Sequence, residues 1–208
     1  MLEIVYTFHT GVTTNVWVLH HNLGHHLNFL DQTKDESGWK RKDGTQMGEV
    51  EYTLVTALTG YYKAAVVGKD YPKYQKDFIA LGLFNLATLI ILTAINPINA
   101  SIIFIIPMLI VYTGTCWTTY HHHAGLDTDD HLHASHNNIH WFYNKLTGNL
   151  GFHTAHHMKQ ALHWSKLPEL HKTIEKDIPP ELIACEFPGI LGMVDRYFSK
   201  SRKVASQS

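Results

Sequence analysis

Cysteine is nearly absent: Cys116 and Cys185 are the two in 208 residues, too few and too far apart for a disulfide framework or a zinc ribbon. An excess of either charge is missing as well. The 17 Lys and Arg stand against 18 Asp and Glu, so there is no basic surplus to neutralise phosphates, and nucleic acid is excluded as a partner. Met1 to Gly11 lacks the basic start and apolar core of a signal peptide. Cys-x-x-Cys, Gly-x-Gly-x-x-Gly and any haem-binding segment are absent too, so no electron carrier is built into the chain. One further absence is local: no Lys or Arg occurs between Lys76 and Lys145, while the flanks carry all 17.

That uncharged stretch holds two apolar runs. Phe78–Ile95 contains nothing more polar than Asn85, Thr88 and Thr93, and Ile102–Trp117 is almost as apolar. Each approaches the roughly 20 residues of a spanning helix, and Asn96–Ser101 between them reads as a tight turn. Two buried helices of a soluble core would have the same run length, but the charge distribution favours a membrane hairpin over about 78–117. The positive-inside rule places the turn outside and the flanks, including the C-terminus, on the cytoplasmic side. Tyr52–Val67, interrupted by Gly60 and Lys63, reads as an interfacial helix with Tyr61 and Tyr62 at headgroup level. Asp31–Glu51 is polar and carries the turn signals Ser37-Gly38 and Asp43-Gly44. The length suits one domain, 1–208. The expected fold is therefore all-α: an integral membrane protein with a transmembrane hairpin and a cytoplasmic, helical, histidine-rich cap. From Ser199 the tail turns basic and Ser-rich and is expected to fray.

Histidine is abundant, at 17 of 208 residues. In Asn149-Leu150-Gly151-Phe152-His153-Thr154-Ala155-His156-His157 three imidazoles stand at i, i+3 and i+4, which puts them on one helical face about 5–6 Å apart at Cβ. Such a face packs poorly and holds a metal well. His21, His25 and His26 form a second cluster, with Trp17 four residues before His21 on the same face and His20 as the alternative if the register moves by one. His121-His122-His123 directly follows the second apolar run. A hairpin returns the chain to the side it left, so both clusters face one compartment and can close around a common metal. Glutamate adjoins none of them, which argues against a His-Glu-x-x-His zinc hydrolase. Seven or more histidines favour a binuclear site, and imidazole suits iron, copper and zinc alike. Asp127, Asp129, Asp130 and Asn149 are candidates to fix the ligand imidazoles by hydrogen bonds, or simply to solvate a helix end. His9, His131, His133, His136, His140, His163 and His171 read as surface or supporting residues, and Trp141 and Trp164 as interface anchors. A histidine-rich membrane metal-binding or transport protein is the alternative, although the apolar helices carry no charge to line an ion path.

His21-x3-His25-His26, two apolar helices, Asn-Leu-Gly-Phe-His-Thr-Ala-His-His and His163-Trp164-Ser165-Lys166-Leu167-Pro168 together resemble the membrane fatty acid desaturase and hydroxylase superfamily, from about Trp17 to His171. The resemblance implies two non-haem irons held by histidine boxes. It carries His21, His25 and His26 onto the second box, His153, His156 and His157 onto the third, and His123 onto the lone ligand, with His122 as its competitor. No first box is recognisable, because His9 has no histidine four or five residues on, and Thr119 stands where many relatives have asparagine. Either His21–His25 serves as a fused first box or the chain is truncated at its N-terminus, which is the expectation, one iron then lacking ligands; an inactive remnant that still folds into the membrane is a further reading. The implied reaction removes hydrogen from an unactivated C–H bond of a lipid acyl chain with dioxygen. Loss of a second hydrogen gives a double bond, and return of hydroxyl gives an alcohol. Electrons must come from a separate ferredoxin, rubredoxin or cytochrome, for which Lys40-Arg41-Lys42 offers a basic docking run or a contact for anionic headgroups.

Overall fold

The structure, a computed structural model, describes residues 2–186 and is mostly helical; the basic tail from Ser199 lies outside the described residues. It divides into two compact units, 1–120 and 121–208. The chain enters through α1 (Leu2–Thr10) and turns at Gly11, whose φ of +70° glycine adopts without a Cβ penalty. Thr13 then caps a single turn, Thr14–Val16, its hydroxyl accepting from Val16 N at 3.1 Å. That turn runs straight into a π-helix, Trp17–His26. The polar stretch that follows is a loop of turns with one antiparallel bridge, Lys40 to Gln46. It ends where α2 (Glu49–Gly68) begins, and Glu51 reaches back to the Gly48 amide there. The core of this unit is Val12, Val16 and Leu19 packed on Ala64 of α2, with Trp17, Leu23, Val67, Tyr71, Phe78 and Tyr112 around them.

Two helices start on proline, whose missing N–H has no partner in a first turn anyway. They are α3 (Pro72–Ile95) and α4 (Pro97–His123), the latter widened to a π-helix over Ser101–Ile105. Both exceed the apolar runs in the sequence, because hydropathy marks only the lipid-like middle of a helix. The expected turn over Asn96–Ser101 is also tighter than its composition indicates. Asn96 alone breaks the helix, and its side chain accepts from Asn99 N at 3.0 Å to cap the next one. Mean hydropathy is 2.4 for α3 and 1.8 for α4, with 6% and 11% of the apolar windows buried. A pair of soluble core helices would be mostly buried; these expose Leu83, Ile90, Ile95 and Ile110 instead, the surface that a bilayer covers. Indole N–H of Trp117 donates to Glu49, and Tyr120 Oη donates to Met47 O at 3.0 Å, tying the end of α4 to the start of α2.

The second unit starts within the last turn of α4. It holds α5 (Trp141–Thr147), α6 (His153–Met158), α7 (Leu167–Ile174) and a small departure from an all-helical fold: β1 (Asn137–Asn138) pairs in parallel with β2 (Ile183–Ala184). Polar hydrogen bonds replace an apolar core around β1. Asn137 Nδ2 donates to Thr154 Oγ1 at 2.8 Å while its Oδ1 accepts from Thr154 N at 3.0 Å. Both residues are fully buried, so α6 is held to β1 by a two-point clamp.

Candidate metal centre

The first cluster owes its geometry to the π-helix. With i→i+5 bonding, residues four and five apart share a face, so His21, His25 and His26 come together on one side of the helix. His26 Nε2 lies 3.0 Å from His21 Nε2, and the three ring centroids are 4.5–5.5 Å apart. All three side chains are buried. Trp17 stacks on His21 at 4.0 Å, as the spacing predicts. The support for His25 comes from a residue the spacing did not indicate. Asp35, buried in the loop, accepts from His25 Nδ1 at 2.8 Å and from Ser37 N at 2.7 Å. A carboxylate can only accept here, so the proton sits on Nδ1 and the Nε2 lone pair is left for a metal. Gly24 makes room for this loop, since a Cβ there would meet Glu36 Cγ at 2.7 Å. His20, the alternative to His21, is held near pKa 4 mainly by burial, with Lys63 adding to it.

In the second unit three Nε2 atoms converge. His123 Nε2 lies 3.0 Å from His153 Nε2 and 3.1 Å from His157 Nε2. The tautomers follow from the other ring nitrogens. His123 Nδ1 donates to Ala134 O at 3.0 Å, and His153 Nδ1 donates to Leu150 O at 3.2 Å. Two Nε2 lone pairs therefore face each other across 3.0 Å, which repels unless a cation lies between them. Burial and the neighbouring imidazoles hold the His153 pKa well below its ordinary value, so it stays neutral and able to ligate. His122 is engaged otherwise: its Nδ1 donates to His136 O at 3.1 Å, its Nε2 accepts from Tyr143 Oη at 3.0 Å, and its ring stacks on His153 at 3.8 Å. His156 is half-buried on α6, its ring 5.3 Å from His153 and 5.6 Å from His157.

The remaining sequence candidates lie apart from these contacts. Asp127, Asp129 and Asp130 are exposed; Asp130 accepts from Leu132 N at 2.8 Å and lies 3.4 Å from His133 Nδ1. Asn149 donates to Trp164 O at 3.3 Å and has a φ of +63°. His140 and His163 cap short helices, His9 and His131 are exposed, and His136 donates to Ala124 O at 3.3 Å. His171 is buried against Phe152 with neither ring nitrogen hydrogen-bonded. The basic run is partly neutralised, because the Arg41 guanidinium is engaged by Glu51.

The donor set is compatible with a metal ion. Two nitrogens bound to one ion at about 2.1 Å lie about 3.0 Å apart at a right angle and about 3.4 Å apart in a tetrahedron. Separations of 3.0–3.1 Å are short enough for two imidazole nitrogens to share one ion. The family model for fatty acid desaturases matches residues 1–188. Comparison with curated proteins and with solved structures found no match.

Proposed function

The chain belongs to the fatty acid desaturase family, and from that premise we propose that it is a membrane-bound oxygen-activating enzyme that desaturates or hydroxylates the acyl chain of a lipid. In this reading the ligands of two non-haem irons are His21, His25, His26, His123, His153, His156 and His157. The observation that carries it is the convergence of His123, His153 and His157 through Nε2, with the Nδ1 protons of His123 and His153 committed to backbone carbonyls. Bound iron would supply reduction of dioxygen and removal of hydrogen from the lipid. The protein's own part is to hold ligands and exclude water. Asp35, Ala134 O and Leu150 O keep protons on Nδ1 and lone pairs on Nε2. Burial keeps the His153 imidazole neutral. Electrons come from a separate ferredoxin, rubredoxin or cytochrome-type donor, and the histidine clusters lie on the cytoplasmic face.

A transport reading is disfavoured by one feature of the helices: no Asp, Glu, Lys, Arg or His occurs from Phe78 to Tyr120, so nothing charged marks an ion path. Metal analysis tests the proposal. The full-length protein purified in detergent with iron supplied is expected to hold two irons per chain. Stoichiometric zinc that supports activity without a reductant would overturn it.

A further inference from the structure

One cavity lies inside the first unit, beside the proposed ligand His21, lined by Val12, Val16, Trp17, Gly60, Tyr112 and Thr119 among others. Its lining is mainly apolar, and its volume of about 40 Å³ is room for about three water-sized groups. That admits a segment of a chain and excludes a headgroup. Thr115 and Thr119 contribute hydroxyls whose protons are already donated, to Val111 O at 2.9 Å and Thr115 O at 3.0 Å. Two other polar atoms have no such partner. His20 Nε2 is withheld from solvent and makes no hydrogen bond, and the hydroxyl of half-buried Tyr112 lines the same cavity with no hydrogen bond to a described residue. Both look at the same spot. A Cβ at Gly60 would fall 2.5 Å from Tyr112 Oη and 3.9 Å from His20 Nε2, so the glycine leaves open the space between them. Leaving a buried group such as His20 Nε2 unsatisfied is costly.

We propose that Gly60, Tyr112 and His20 form a polar subsite for an oxygen atom on the substrate chain, so that the enzyme acts on a lipid already carrying a hydroxyl or carbonyl near the carbon attacked. This deepens the reading above and rests on it for the position of the reacting carbon. An oxygen here accepts from the Tyr112 O–H, and a hydroxyl also satisfies His20 Nε2. A plain methylene satisfies neither. The lipid would therefore be supplied by a prior oxygenation or hydration of its chain.

The test is competition against tritiated stearate by stearates bearing one hydroxyl or one oxo group at successive mid-chain positions. It uses the full chain purified in detergent with iron supplied, and is repeated after chelation. One positional isomer is expected to bind about tenfold tighter than stearate. Tyr112→Phe and His20→Phe should each cut that preference by about 3–10-fold, the range of one hydrogen bond. Gly60→Ala should abolish it by filling the space. Stearate binding in each variant is the internal reference for folding. Water alone at the subsite, seen as no preference at any position, would overturn the proposal, as would a preference unchanged in Tyr112→Phe and Gly60→Ala. The same preference in a protein that takes up no iron when iron is supplied would sink the di-iron reading and leave the subsite standing.

Discussion

At the scale of single residues, burial keeps several imidazoles neutral, the proposed ligand His153 among them. Burial lowers the pKa of His153 and His171, and of His20 to about 4. Above the ordinary value of about 6.5 these groups are neutral folded and unfolded alike, so stability does not depend on them. Below about 6.5 the unfolded chain takes up the proton before the folded one, for His20 down to about 4, and stability falls with falling pH. Thermal unfolding of chelated protein should show a loss of up to about 1.4 kcal/mol per pH unit for each such group; a flat profile from pH 7.5 to 5 would refute it. His171 belongs to the same set for a different reason. Its unbonded ring makes His171→Leu neutral or stabilising by about 1 kcal/mol. The histidine clusters were legible in the sequence because their spacing is itself the signal. Their supports were not. Asp35 sits in a loop that composition marks only as polar, and Ala134 O and Leu150 O are backbone groups that any residue could present.

At the scale of elements, Gly151 decides how the His153 helix is held. A Cβ there would meet Asn138 O at 2.1 Å and Asn144 Oδ1 at 2.7 Å, and the glycine's own N–H donates to Asn144 Oδ1 at 3.1 Å. Gly151→Ala should therefore cost about 3 kcal/mol or more, since the clash is with backbone that cannot turn away. Chemical denaturation of the chelated protein measures this, and a change below about 1 kcal/mol would contradict the placement of α6. Helix type was only half readable. Apolar runs announce α3 and α4, yet the π-helix over Trp17–His26 follows from its bonding, and the same histidines would read as an ordinary helix. The β1–β2 pair was invisible, because Asn137-Asn138 carries no strand signal and its partner lies far along the chain.

At the scale of the whole molecule, the expected topology follows from the missing positive charge around α3 and α4. Asn99→Cys should label in intact cells, whereas Gly44→Cys should need permeabilisation; the reverse pattern would put the histidines on the exported side. The central claim is that these histidines hold a metal that oxidises a lipid chain. Lipid-chain mass spectrometry tests it most directly, in cells that express the full-length protein with a matched electron donor, alongside His156→Ala and His171→Leu. The account predicts a new double bond or hydroxyl in the wild type, its loss in His156→Ala because a ligand is removed, and its retention in His171→Leu. Equal product in all three would contradict it.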